Sequence, residues 1–374
     1  VDGQTGLAVA TDAPPEGRFQ RMGGLWVGRV PEGMQVANTA FDWSGRRWST
    51  VRLPLPADRF TRIRLLVHES FHRIQPDLGL NARDAINAHL DERDGRYLLR
   101  LELHAMAAAI QAEGAAARRA TEDALVFRAQ RNRLYPGSDS LETMLEIQEG
   151  LAEYTGTRLA LEATGLHASR VAEATREFEG RPTYVRGLGY GTGPLLGLLL
   201  DRYAPGWRAR IKEAGFSRQL SAAVGFVPPS DLVSAVVARA GQYGGDSLAR
   251  VEDERAKART RAIEDYRSRL VEGPVIHLQA DEMMRGFNPN TLVPLGANGT
   301  VYPTGNFRAV WGVLTVEEGG ALVGPQNRDV RVPTPAMIDS TAKVIAGAGW
   351  RLELAEGWRL VPGARAGDWE VVKQ

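Results

Sequence analysis

Residues 65–72 read Leu65-Leu66-Val67-His68-Glu69-Ser70-Phe71-His72, and this octet sets both the local fold and the chemistry expected of the chain. On an α-helix, residues four apart share one face, so the two imidazoles can reach a single cation. Glu69, the next residue along, falls beside that cation, where its carboxylate can take a proton from water. Water alone is too weak an acid to attack an amide at neutral pH, and zinc held by three protein ligands brings its pKa to about 7. His68 and His72 are therefore candidate zinc ligands, and Glu69 is the candidate general base. The flanks supply the helix. Phe60, Ile63, Leu66, Val67, Phe71 and Ile74 recur at 3-to-4 spacing, which predicts an amphipathic helix over 59–74. Asp58 is placed to cap it, and Pro54 and Pro56 close the segment before it.

Upstream, Gly24 to Leu55 alternates and is rich in Val, Trp, Phe and Thr, which reads as strands with a hairpin turn at Ser44-Gly45. Residues 1–57 form an N-terminal stranded lobe on this reading. Downstream the pattern is helical. Residues 82–113 form one helix, or two broken near Asp94-Gly95, and 116–133 form another. Pro136-Gly137 is a turn before a helix from Leu141 to about Thr164, and a shorter one covers 168–180. The Gly-rich run 186–193 leads into the apolar helix PLLGLLLDRY, followed by helices at 206–222, 230–239 and 245–271. The expected helical domain is 58–272. At Gly273-Pro274 the character changes to short strands and turns, with one helical interlude at about 335–347. The fold class expected is α+β: N-terminal strands, a mainly helical zincin-like catalytic domain, and a C-terminal β-rich domain over 273–374.

Composition bounds the remaining choices. The 374 residues are 43% hydrophobic and 24% charged, as in a soluble globular protein. A net charge of +1 gives no overall pull toward nucleic acid or acidic lipid. The charged segment 251–270 mixes signs at helical spacing and reads as a solvated helix, not a nucleic-acid patch. Among basic residues Lys occurs only at Lys212, Lys257, Lys343 and Lys373; with the Ala and Gly richness this resembles the output of a GC-rich bacterial genome. There is no cysteine, which excludes disulfides, thiolate zinc ligation and a Cys nucleophile. The longest purely leucine run, Leu198–Leu200 within Leu195–Leu200, is far short of the ~18 residues that span a bilayer. The first residues are polar and rich in Gly and Pro, as a removed secretory leader would leave them, so a periplasmic or secreted protein is expected.

Two histidines do not complete a catalytic zinc site, and a third ligand must come from elsewhere. The extended pattern with Gly and His three and six residues on is absent, since Gln75 and Leu78 stand there. One source is the helix carrying Glu102 and His104. Another is Glu146-Ile147-Gln148-Glu149-Gly150-Leu151-Ala152-Glu153-Tyr154, which puts Glu149 and Glu153 on one helical face.

The stretch Gln148 to Tyr154 resembles the third-ligand helix of the gluzincin metallopeptidases, both the aminopeptidase-N-like and the thermolysin-like members. The resemblance implies Glu149 as the zinc ligand. It implies Glu153 as the acid that hydrogen-bonds a zinc histidine, fixing the tautomer of His68 or His72. Gly150 and Ala152 suit a helix that must approach the His68 helix closely. Glu102 is then expected to pack or to pair with Arg96 or Arg100. The family also implies a tyrosine that steadies the oxyanion, in a Tyr-x-x-Gly sequence opening the next helix. Tyr190 fits best, ahead of Tyr184 and Tyr154, and its Gly-rich flanks would permit a sharp backbone approach to the metal. Arg181 and Arg186 are candidates for a substrate carboxylate. The interval of 77 residues from His72 to Glu149 is longer than the family's linker. It holds helices, so a structured insertion walling the cleft is expected. The motif that reads a free amino terminus in the aminopeptidases is absent from Val36 to Ser44, so the resemblance covers the catalytic core, roughly residues 24–205.

The expectation is a zinc peptidase acting on peptide or protein substrates. The alternatives are a metal hydrolase of another bond, such as an ester, and a non-catalytic zincin-like binding protein. His89, His104, His167 and His277 lack ligand spacing and are expected to be surface or structural. The glycine run 187–193 lacks the strand and Lys-Ser/Thr of a phosphate loop.

Overall fold

The computed structural model describes residues 1–31, 34, 36–80, 85–280 and 282–374. The protein is α+β, with N-terminal strands, a central helical region and a C-terminal β-rich region. It divides into two compact units, Val1–Glu252 and Asp253–Gln374.

In the first unit, strands β1 (Leu7–Ala10), β2 (Arg18–Met22) and β3 (Leu25–Arg29) form an antiparallel sheet in the order β1-β3-β2. The first two lie before the stretch whose alternation predicts strands. They are short and half-exposed, and paired backbone rather than side-chain pattern defines them. Strands β4 (Thr39–Trp43) and β5 (Arg46–Thr50) make the expected hairpin. Ser44 and Gly45 both take positive φ, 47° and 77°, as the twist of a tight two-residue hairpin demands.

Helix α1 spans Arg59–Ile74, and the Asp58 carboxylate accepts the Thr61 backbone N–H. The block expected over 82–113 is shorter. Residues 82–84 lie outside the described residues, Ala88–Asp91 is a 3-10 turn, and α2 runs Arg93–Gln111, with Asp94 and Gly95 inside its first turn instead of at a break. Helices α3 (Gly114–Leu134) and α4 (Ser138–Leu145) follow. The helix expected over 141–164 is interrupted: a π turn at Glu146–Gly150 separates α4 from α5 (Leu151–Thr164). Then come α6 (Ser169–Glu179) and α7 (Leu188–Tyr203). The segment expected as one helix over 206–222 is a 3-10 turn at Trp207–Arg210 and a separate α8 (Phe216–Ala223). After α9 (Leu232–Ala240), α10 (Gly245–Arg267) runs through the division between the two units.

Burial explains the helical arrangement. Leu98, Leu99, Leu101, Leu103 and Met106 of α2, Phe127 of α3, and Leu195, Leu196, Leu199 and Leu200 of α7 are buried in one continuous core. Each such side chain contributes about 1.5–3 kcal/mol relative to exposure. Among the described residues, no helix is long and apolar enough to cross a membrane.

In the second unit the described residues form an antiparallel five-stranded sheet and a seven-stranded sheet. Within the latter, Trp369–Lys373 runs parallel to Val275–Gln279. Trp311, Phe307, Leu314, Val330, Val332 and Leu352 are buried between them. The helical interlude expected at 335–347 is absent: turns and bends there lead into a strand, Val344–Gly347, which pairs with Trp350–Leu354.

Candidate metal centre

Helices α1 and α5 pack side by side, and their closeness has a specific cause. A Cβ on Gly156 of α5 would stand 2.5 Å from the Arg64 carbonyl oxygen of α1. This glycine, not Gly150, admits α1. Gly150 faces α7 instead, where a Cβ on Gly193 would stand 2.4 Å from the Gly150 Cα. The glycines of residues 187–193 thus lie at or within the start of α7, and their role there is close helix contact, not a sharp turn.

These contacts bring His68 and His72 of α1 against Glu149 of the π turn. His68 Nε2 and His72 Nε2 lie 3.0 Å apart. Glu149 Oε2 is 3.5 Å from the first and 3.4 Å from the second. A small four-coordinate cation with ligand bonds of about 2.1 Å has ligand-to-ligand edges of about 3.4 Å, so the three atoms form one face of such a shell. Glu149 Oε2 is buried with no hydrogen-bond partner. A carboxylate oxygen with no hydrogen-bond partner, facing two imidazole nitrogens, could hold a cation with them, and the donor set fits one. Among the described residues these three are the group whose ligand atoms could hold a metal.

The far nitrogens of both rings are held. His68 Nδ1 donates to Glu153 Oε2 at 2.8 Å, and Glu153 is steadied by Arg64 Nε at 3.4 Å. His72 Nδ1 donates to Gln75 Oε1 at 2.8 Å. The Gln75 amide nitrogen donates to the Ile147 and Gln148 carbonyls at 3.0 and 3.1 Å, which fixes its oxygen toward the ring. These two carbonyls sit in the π turn, where the widened bonding runs from Leu151 N–H to Glu146 O. In both rings the Nδ1 bond turns the Nε2 lone pair toward the cation position.

Burial disfavours charge on His68, but Glu149 and Glu153 outweigh it and hold its pKa up at about 9. Burial likewise works against the Glu149 carboxylate, yet the two imidazoles and the Tyr190 hydroxyl keep its pKa well below the ordinary range. Glu69 is buried, its Oε2 has no partner, and desolvation raises its pKa despite both histidines. Tyr190, in the first turn of α7, stacks on the His68 ring at 5.3 Å and 11°. Burial, then the charge of Glu149, raises its pKa far above the usual phenol value, so it stays a neutral O–H donor.

A cavity of about 330 Å³ opens on this group, lined also by Asn38, Thr39, Ala40, Arg47 and Gln148. Of the 77-residue interval, Gln75, Pro76, Leu80 and Gln148 at its two ends line the cavity, while α2 and α3 do not, because their apolar faces are spent on the core; strands β4 and β5 supply the facing residues Thr39, Ala40 and Arg47. Glu102 lies elsewhere. It pairs at 2.6 Å with both Arg128 and Arg131 of α3, while the expected partners Arg96 and Arg100 pair with Glu252. Tyr184 is fully buried and donates to the Glu179 carbonyl, and Tyr154 donates to Asp201. Arg181 stacks over the Tyr190 ring, 5.0 Å away, and neither it nor Arg186 lines the cavity. His89 is buried on Glu142, and His104 bridges Glu179 and the Tyr243 carbonyl.

Sequence reading missed Gln75 and Arg47. Gln75 falls three residues after His72 on the same face as the histidines, and that spacing was the available signal. Arg47 carried none, since arginine is common along the chain.

No protein-family model matches the chain, and no curated protein or solved structure matches it.

Proposed function

We propose that this protein is a zinc-dependent peptidase of the gluzincin type, with His68, His72 and Glu149 as the metal ligands. The observation that carries the reading is the triangle of 3.0, 3.4 and 3.5 Å among three ligand atoms, with the unpartnered Glu69 carboxylate beside it. Zinc in such a set supplies a nucleophile from water at neutral pH and polarises a carbonyl.

The chain's own groups do the rest. As the water oxygen bonds to the substrate carbonyl carbon, Glu69 Oε2 receives the water proton. It then passes that proton to the nitrogen of the departing amine as the C–N bond breaks. The raised pKa of Glu69 suits a group that must both take and return a proton. Tyr190 donates its O–H to the carbonyl oxygen as charge builds there. Glu153 and Gln75 keep both imidazoles aimed. Among the described residues β4 pairs only with β5, while its first residues Thr39 and Ala40 line the cavity. Its other edge can therefore take an extended peptide as an added strand, which favours a peptide over a small ester.

The test is cleavage of a mixed peptide library by the zinc-loaded protein and by Glu69→Gln. The expected result is cleavage by the first, and a loss of at least about a thousandfold in kcat for the second with its zinc retained. Stoichiometric zinc with no cleavage of any peptide would overturn the reading.

A further inference from the structure

A second and larger cavity, of about 670 Å³, lies beside the metal cavity in the same unit. It is bounded by the β1-β3-β2 sheet, the β4–β5 hairpin and the outer face of α1, with Phe19, Leu25, Phe41, Trp43, Trp48 and Leu66 among its apolar walls. Ligand sites typically enclose about 300–1,000 Å³ with mostly apolar walls and a few fixed polar groups. Several of the nearby apolar side chains are open to solvent: Val9, Leu25 and Leu66 are 51%, 42% and 39% exposed. Apolar walls left open in this way favour an apolar occupant.

Two features say what that occupant is. Arg47 lines both cavities, and its backbone carbonyl accepts from Arg73 Nε of α1 at 2.9 Å, so the wall between the two sites is fixed to the metal-bearing helix. Arg47 Nε and Trp48 Nε1 are both buried donors with no acceptor. Both residues line the cavity, and unmet donors in side chains that line an apolar cavity match a molecule that has an apolar body and carries carbonyl or carboxylate oxygens, which a turn of either side chain would meet. Among the described residues the Arg47 guanidinium pairs with the exposed Asp42 carboxylate, at 3.2 Å, which a ligand oxygen can replace at small cost.

We infer that this cavity receives a bulky apolar group of the substrate, a long acyl or comparable hydrophobic substituent, while Arg47 and Trp48 hold the oxygens that connect it to the bond at the metal. This rests on the hydrolase reading for its catalytic half only; the binding half stands alone. The substrate class is thereby narrowed to hydrophobic or acylated peptides.

The experiment uses tetra-alanine amide carrying an N-acetyl, N-hexanoyl or N-decanoyl group, with binding measured by calorimetry on the zinc-loaded Glu69→Gln protein comprising residues 1–374. Burial of a methylene tightens binding by up to about fourfold, so the decanoyl form is expected to bind at least about a hundredfold more tightly than the acetyl form. Ala10→Trp fills the cavity and Leu25→Arg charges its wall. Either change, in a protein whose circular dichroism and melting match the parent, should bring the decanoyl form to within about threefold of the acetyl form. Equal binding of all three peptides to Glu69→Gln overturns the inference, as does a chain-length preference that survives both variants. Tight decanoyl binding without cleavage by the unmutated protein would sink the hydrolase reading and leave the binding site standing.

Discussion

At the scale of residues, the site is a problem of aiming lone pairs. Two imidazole nitrogens 3.0 Å apart repel unless a cation or a proton lies between them, and each ring is held in that orientation by a bond at its other nitrogen. Glu153→Ala should free His68, and Gln75→Ala should free His72. Each is expected to weaken zinc affinity by about 10–100-fold, measured by competition with a chromophoric chelator. An unchanged affinity in both variants would mean that the rings are aimed by packing alone. His68, Glu69 and His72 were legible because their relation is contained in one helix. Glu149 and Glu153 were legible through a motif. Gln75 was legible only as a neighbour on the histidine face; its role was not, because it depends on two carbonyls more than seventy residues downstream that only the folded π turn presents.

At the scale of elements, the triangle of His68, His72 and Glu149 depends on how closely α5 can approach α1 and α7. Gly156 and the Gly150–Gly193 contact set those approaches, and a side chain at either forces the helices apart. Gly156→Val should lower stability by about 1–3 kcal/mol, read by denaturant titration, and should weaken zinc binding along with it. Stability lost with zinc affinity intact would show that this contact does not position Glu149. Helices α1, α3, α9 and the β4–β5 hairpin were readable because periodicity, caps and turn residues agree locally. The π turn was not, since residues 141–164 carry an unbroken helical pattern. What diverts the backbone is tertiary: Glu146 is drawn to Arg128 Nη2 at 2.5 Å and to the Thr192 hydroxyl at 2.8 Å. Tertiary pairing also overrides the helical pattern of 335–347, whose end is drawn into a strand against Trp350–Leu354.

At the scale of the whole molecule, the first unit is organised round a buried ion cluster of Glu102, Arg128, Arg131, Glu142 and Glu146, each at most 5% exposed at its side chain. It links α2, α3 and α4 to the turn that carries Glu149, so the helices of the long insertion support the candidate site from below, while only the two ends of the insertion line its cavity. Burial opposes charge on Glu142, but Arg131, with His89 and Arg128, wins and holds its pKa well below the usual range. A depressed carboxylate contributes stability that is full above its unfolded value, near 4.5, and is lost as pH falls through the folded value. Burial has the upper hand at Glu146 and raises its pKa, so its ionised form costs stability near neutrality, and this cost is relieved in acid. Unfolding free energy measured from pH 7 down to pH 3 should therefore fall less steeply in Glu142→Gln than in the parent, from a lower starting value. A parallel fall in the two proteins would show that Glu142 does not carry the acid dependence.

The most direct measurement of the central claim is the zinc content of the purified protein and of its Glu149→Ala and Glu102→Ala variants, by elemental mass spectrometry after dialysis. The account predicts about one zinc per chain in the parent and in Glu102→Ala, and loss of zinc from Glu149→Ala. Zinc retained by Glu149→Ala and lost from Glu102→Ala would contradict it.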